Sequence, residues 1–164
     1  MALVTEDGTG LANAESYCSV AAAGTRHTAF GNTAWTGTDA AKEAALRQAT
    51  LYMTQMYRNR WAGQRVTSTQ ALDWPRYGVV VDHYPIDADE LPADITAACA
   101  DLALRALTAT LFADQTRAIK REKVGPLETE YSEYSPQATR YSAVDALLAP
   151  YLEGSSAMAR LVRA

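Results

Sequence analysis

The sequence is poor in the residues that build catalytic centres. Its 164 residues include two histidines and two cysteines. Cys18 and Cys99 cannot form a disulfide framework, and each reads as a small buried hydrophobe in a reducing compartment. Together with His27 and His83 they are the soft metal-ligand types present. No Cys-x-x-Cys spacing joins them, so no zinc site is expected. Both histidines read as surface residues. Asp87, Asp89 and Glu90 lack the glycine of a calcium loop and read as a solvated stretch. No P-loop, Gly-x-Gly-x-x-Gly, Gly-x-Ser-x-Gly or His-Glu-x-x-His occurs, and neither enzymatic activity nor a cofactor is expected.

Positive charge is also short. Lys and Arg number 15 against 19 Asp and Glu, a net charge of -4 with pI near 5.1. A nonspecific nucleic-acid binder that works by counterion release is normally basic, so this balance argues against that role. No apolar run approaches the roughly 20 residues of a membrane span. Met1–Asp7 carries neither the basic nor the apolar segment of a signal peptide. The expectation is a soluble protein made in a cytoplasm, with no membrane partner.

What is present is enough apolar material for one core: 48% hydrophobic and 21% charged residues in a chain of single-domain length. Residues 1–18 read as an irregular arm. Ser19 caps a helix to about Phe30, which Gly31-Asn32 ends. Thr38-Asp39 opens a longer one to about Arg60, with Ala45, Ala49, Tyr52, Met53 and Met56 on one apolar stripe. Residues 62–90 read as mostly irregular around an extended Trp74-Pro75-Arg76 turn, with Val79-Val80-Val81 as a short strand. Pro92 fits the first position of a helix whose face is Ile95, Ala98, Cys99, Leu102, Ala106 and Ala109. Leu104, Leu107 and Leu111 widen that face. Residues 118–134 read as a hairpin turning at Gly125-Pro126, with Lys123 opposite Glu128 and Arg121 opposite Glu130. Ser142 and Asp145 form a capping-box pattern ahead of a helix to about Leu152.

One stretch, Tyr57 to Arg65, interleaves aromatic and basic residues: Tyr57, Arg58, Arg60, Trp61 and Arg65. Single-strand binders combine stacking rings with cations in this way. The same residues also suit a helix end, where cations favour the dipole and Trp61 folds back onto the core.

Four segments in order carry a resemblance: Gly8–Tyr17; Trp61-Ala62-Gly63 with Leu72–Gly78; Leu91–Ile95 with Ala98, Leu102 and Ala103; and Lys123–Tyr131 with Val144–Leu148. The ordered set resembles the head-tail connector, or adaptor, proteins of tailed bacteriophages, whose relatives are often labelled DnaT-like single-stranded-DNA-binding proteins. The resemblance implies a mainly α fold, a small helical bundle with a β-hairpin or extended arm. It implies a virion protein of the neck, with about twelve copies ringed beneath the portal. Its partners would be the portal protein, neighbouring copies of itself and the stopper or tail proteins below. DNA would pass through the channel without specific binding. The alternative is a DnaT-like single-strand binder using the Tyr57–Arg65 patch. On the connector reading residues 1–154 form a head-tail adaptor-like helical domain and 155–164 a C-terminal tail. In that tail Met158, Leu161 and Val162 align at helical spacing with Arg160 and Arg163 beside them, a pattern suited to docking on a partner.

Overall fold

Ser19 and Thr38 open the first two helices through their own side chains. In the computed structural model, which describes residues 2–112, 121–124, 127–130 and 140–153, Ser19 Oγ accepts the Ala22 N–H at 3.1 Å and starts α1, Val20–Ala29. Gly31 follows its end at φ 67°, and the Asn32 N–H returns to the His27 carbonyl at 2.8 Å. Thr38 Oγ1 accepts the Ala41 N–H at 3.3 Å and starts α2, Asp39–Tyr57. The expected stripe is the buried one, with Ala45, Ala49, Tyr52 and Met53 inside and Met56 partly so.

The end of α2 differs from the sequence expectation of Arg60. The Arg60 and Trp61 N–H groups both fall back on the Tyr57 carbonyl, at 2.8 and 3.2 Å. That turn swings Trp61 inward. Pro92 also sits one place earlier than expected. It is the N-cap of α3, Ala93–Ala106, and its carbonyl accepts from Ile95 and Thr96. Proline offers no capping acceptor, so Asp94 supplies the favourable first-turn charge. Ala109 lies beyond the end of α3 and is exposed, not on its buried face.

The capping box at Ser142 is not formed. Ser142 is already the first residue of α4, Ser142–Leu148, and Tyr141 precedes it without a side-chain cap. Asp145 is instead taken by the Tyr57 hydroxyl at 2.6 Å. A single 3-10 turn, Ala149–Tyr151, follows.

Among the described residues three two-stranded antiparallel ribbons accompany the four helices. β1 (Gln64–Arg65) pairs with β2 (Arg76–Tyr77), and β3 (Val80–Val81) with β4 (Tyr84–Pro85). Asp82 and His83 connect the second pair at φ 51° and 71°, the doubly left-handed pattern that matches strand twist in a two-residue turn. β5 (Arg121–Val124) pairs with β6 (Leu127–Glu130) in the expected register, Lys123 opposite Glu128 and Arg121 opposite Glu130. The Gly125-Pro126 loop of that hairpin lies outside the described residues. The fold is therefore a small α-rich one in which short ribbons fill the long connection between α2 and α3.

One apolar cluster joins the helices, with Leu46 and Met53 from α2, Ile95 and Leu102 from α3, Leu148 from α4 and Trp74 from the connection. The arm before α1 is pinned to this body. Glu6 is buried, and its carboxylate accepts the N–H groups of Gly8, Gly10 and Leu11 at 3.1, 2.9 and 3.0 Å. Gly8 has φ 101°, and a Cβ there would stand 2.1 Å from the Asp89 carbonyl oxygen, so only glycine lets the arm close on the 82–90 loop.

His27 corrects the surface expectation. It is 1% exposed, its ring tilted against that of Trp35 at 5.0 Å, with Nε2 3.1 Å from the Ala100 carbonyl and Nδ1 3.3 Å from Asn32 Nδ2. This network fixes the neutral tautomer, donating from Nε2 and accepting at Nδ1. His83 is exposed. Both thiols are buried; Cys99 Sγ lies 3.4 Å from Thr50 Oγ1 and 3.6 Å from Ser16 Oγ. Burial pushes the Cys18 thiol up to about 12 and raises that of Cys99.

Candidate nucleic-acid interface

The connection from Tyr57 to Tyr77 folds around two buried groups, Trp74 and Arg76. Pro75 follows Trp74 through a cis peptide. The Trp74 ring is fully buried and meets Trp61 edge-on at 5.9 Å and Tyr151 edge-on at 5.7 Å. Tyr57 completes the cluster, 5.7 Å from Trp61. The Tyr17 hydroxyl accepts the backbone N–H groups of Asp73 and Trp74, at 3.0 and 3.4 Å, and holds the turn against the arm.

Arg76 closes the loop from the other side. Its guanidinium donates to the carbonyls of Ala62 at 2.7 Å, Gly63 at 2.6 Å, Asp73 at 3.2 Å and Trp61 at 3.5 Å. Four backbone oxygens thus stand where a carboxylate usually would, and burial pulls the guanidinium pKa down, opposed first by Asp73. Gly63, at φ 68°, runs so close to β2 that a Cβ would lie 2.4 Å from the Tyr77 carbonyl oxygen.

This construction corrects the aromatic half of the Tyr57–Arg65 patch. Tyr57 and Trp61 are 1% and 3% exposed and belong to the core, so neither ring is open for a base to stack on. The basic half does reach the surface. Arg58 and Arg60 are exposed, the latter lying 5.6 Å over the Tyr57 ring, and Arg65 is half-buried with its guanidinium donating to the Gln70 carbonyl. A cleft of about 480 Å³ opens between Arg58 and Arg65, lined also by Asn59, Gln64, Asp73 and Arg76; Arg60 is not part of its lining. On the ribbon that forms its edge, Tyr77 is 47% exposed, and its hydroxyl donates to Gln64 Oε1 at 2.7 Å. Tyr77 is the ring that sequence reasoning missed. The Arg-Tyr-Gly sequence after Pro75 was legible as a turn, but the outward side of a two-residue strand was not.

Asp73 forms the floor of the cleft. Its side chain is 3% exposed, and Oδ1 lies 3.7 Å from Arg58 Nε. Burial raises its pKa, opposed by the charges of Arg58, Arg65 and Arg76 and by the Trp61 indole N–H. The partner-docking residues expected in the tail, Met158, Arg160, Leu161, Val162 and Arg163, lie outside the described residues. Among the described residues no group of three or more His, Cys, Asp or Glu is placed to hold a metal ion, and no helix is long and apolar enough to cross a membrane.

A family model described as "Putative DnaT-like ssDNA binding protein" matches residues 1–164, the full length of the chain, and the chain belongs to that family. No curated protein and no solved structure matches it. The match bears on the DnaT-like label of the relatives. The phage-connector resemblance rests on the quoted segments alone.

Proposed function

We propose that the protein contacts single-stranded DNA along the cleft between α2 and the β1–β2 ribbon. Arg58, Arg60 and Arg65 meet phosphates, and the Tyr77 ring offers a face to a base. The observation that carries this reading is a cleft lined by Arg58, Arg65 and Arg76, with the exposed Arg60 and Tyr77 on the chain segments that border it, in a chain whose family is described as "Putative DnaT-like ssDNA binding protein". The chemistry is phosphate tracking plus limited stacking, not sequence reading over a long site. A net charge of -4 makes the contact weak and salt-sensitive. Engaging about three phosphates gives a log–log salt slope near -2, with dissociation constants on the order of 10⁻⁵ M at physiological salt.

Anisotropy of a labelled 12-nucleotide oligonucleotide tests it. Binding that weakens with that slope and is lost in the Arg58→Ala, Arg60→Ala double variant supports the reading. Absence of binding at low salt, or binding indifferent to those substitutions, contradicts it.

The connector is the second reading, and the burial of Tyr57, Trp61 and Trp74 together with the acidic balance favours it. A channel wall that DNA slides past should not hold phosphate tightly. On this reading the protein joins the portal protein and copies of itself in a ring, with the 155–164 tail as the docking segment. Failure to bind any oligonucleotide, combined with ring formation on isolated portal that is lost on truncation at Gly154, selects it.

A further inference from the structure

The floor of the cleft carries polar atoms that the protein leaves unused. Asp73 Oδ2 and Arg65 Nε, on two residues that line it, are buried without a hydrogen-bond partner within normal distance. Buried polar groups are nearly always paired in folded proteins, so an acceptor and a donor left open on two residues of one cleft call for an explanation. Among the described residues the ion pair to Asp73 comes from Arg58, at a distance too long for a hydrogen bond, and the Arg58 side chain is 57% exposed. It lies beside the carboxylate without a hydrogen bond to it.

The chemistry of the lining selects the ligand. Arg58, Arg65 and Arg76 repel a cationic group, and a single carboxylate does not make a metal site. Asp73 at the floor repels a bare anion. A group that is anionic at the mouth and presents N–H donors at its tip satisfies both ends, and a nucleotide is such a group. Among the bases, guanine alone sets two N–H donors side by side, N1–H and the 2-amino group, with the O6 acceptor next to them. Adenine and cytosine place an acceptor beside their amino group, and thymine flanks its one N–H with two carbonyls. A carboxylate only accepts, and an arginine Nε only donates. Resting on the single-strand reading above, we infer that this cleft seats one guanine of the strand. Asp73 accepts from its N1–H and 2-amino group, Arg65 Nε donates to O6, and Arg58 leaves the carboxylate for the adjoining phosphate.

The test uses labelled 12-nucleotide thymine oligomers that carry one central guanine, hypoxanthine, adenine or cytosine. The expected result is affinity about tenfold higher for guanine than for adenine or cytosine. Hypoxanthine, which lacks the 2-amino group, should lose most of that preference. The hypoxanthine comparison changes the probe and leaves the protein intact, so it does not depend on a variant folding. Asp73→Asn, checked for an unchanged melting curve, should bring the guanine-to-adenine ratio close to one. Equal affinity for all four oligomers refutes the guanine seat while leaving the single-strand reading in place. Absence of binding to every oligomer refutes both.

Discussion

The Tyr57 hydroxyl donates a 2.6 Å hydrogen bond to the Asp145 carboxylate across 88 positions of sequence. That one contact accounts for two departures from what local sequence implies. It holds the Tyr57 ring inside, away from any strand of nucleic acid, and it draws Asp145 out of the capping role that its distance from Ser142 predicts. Burial raises the Tyr57 phenol pKa, and the neighbouring Asp145 adds to that, so the hydroxyl stays a donor.

Tyr57→Phe should therefore cost about 1.5–3 kcal/mol, the range for a hydrogen bond to a charged group. It should leave oligonucleotide binding where it is in the parent. Urea unfolding and anisotropy on the same variant measure the two effects. A variant as stable as the parent would show that α4 is held by apolar packing alone.

Arg76→Ala should be more damaging, because it releases four carbonyls that the guanidinium gathers. A loss of about 3–5 kcal/mol is expected, as for other buried charged networks that lose one partner. Arg76→Lys should recover less than half of it, since an ammonium lacks the planar fork that reaches Ala62 and Gly63 together. Full rescue by lysine would mean that charge, not geometry, holds the loop.

His27 gives the fold an acid-sensitive point. Burial lowers its pKa below the ordinary 6.5, outweighing the opposing Ala100 carbonyl and Asp101 carboxylate, while Arg26 adds to the lowering. The unfolded chain then binds the proton more readily than the folded one between the two values. Stability should be level above about pH 6.5 and fall as the pH drops below it, because protonation at Nδ1 also breaks the bond from Asn32. Urea midpoints measured from about pH 5 to 8 should show this decline, and His27→Gln should flatten it. An equal decline in that variant would assign the effect to other groups.

The parts legible in the sequence are those decided within a few residues. Ser19 and Thr38 reach N–H groups three positions on, and the Lys123–Glu128 register follows from where the hairpin turns. The parts that were not legible depend on distant chain segments. The carbonyls around Arg76 lie 3 to 15 positions away, and the Asp73 and Trp74 N–H groups find Tyr17 from 56 and 57 positions away. The candidate site falls between these cases. Its arginines were visible as a cluster, but which rings stay outside was decided by the turn after Tyr57, and that turn sends Trp61 inward while β2 leaves Tyr77 exposed.

The most direct test of the account is amide chemical-shift mapping on the 17.7 kDa protein during titration with a thymine 12-mer carrying one central guanine. The account predicts saturable shifts at Arg58–Arg65, Thr67, Asp73 and Arg76–Tyr77, weakening as salt is raised, with α1 and the exposed face of α3 unchanged. Shifts centred elsewhere, or none at low salt with the protein in excess of the expected dissociation constant, would contradict it.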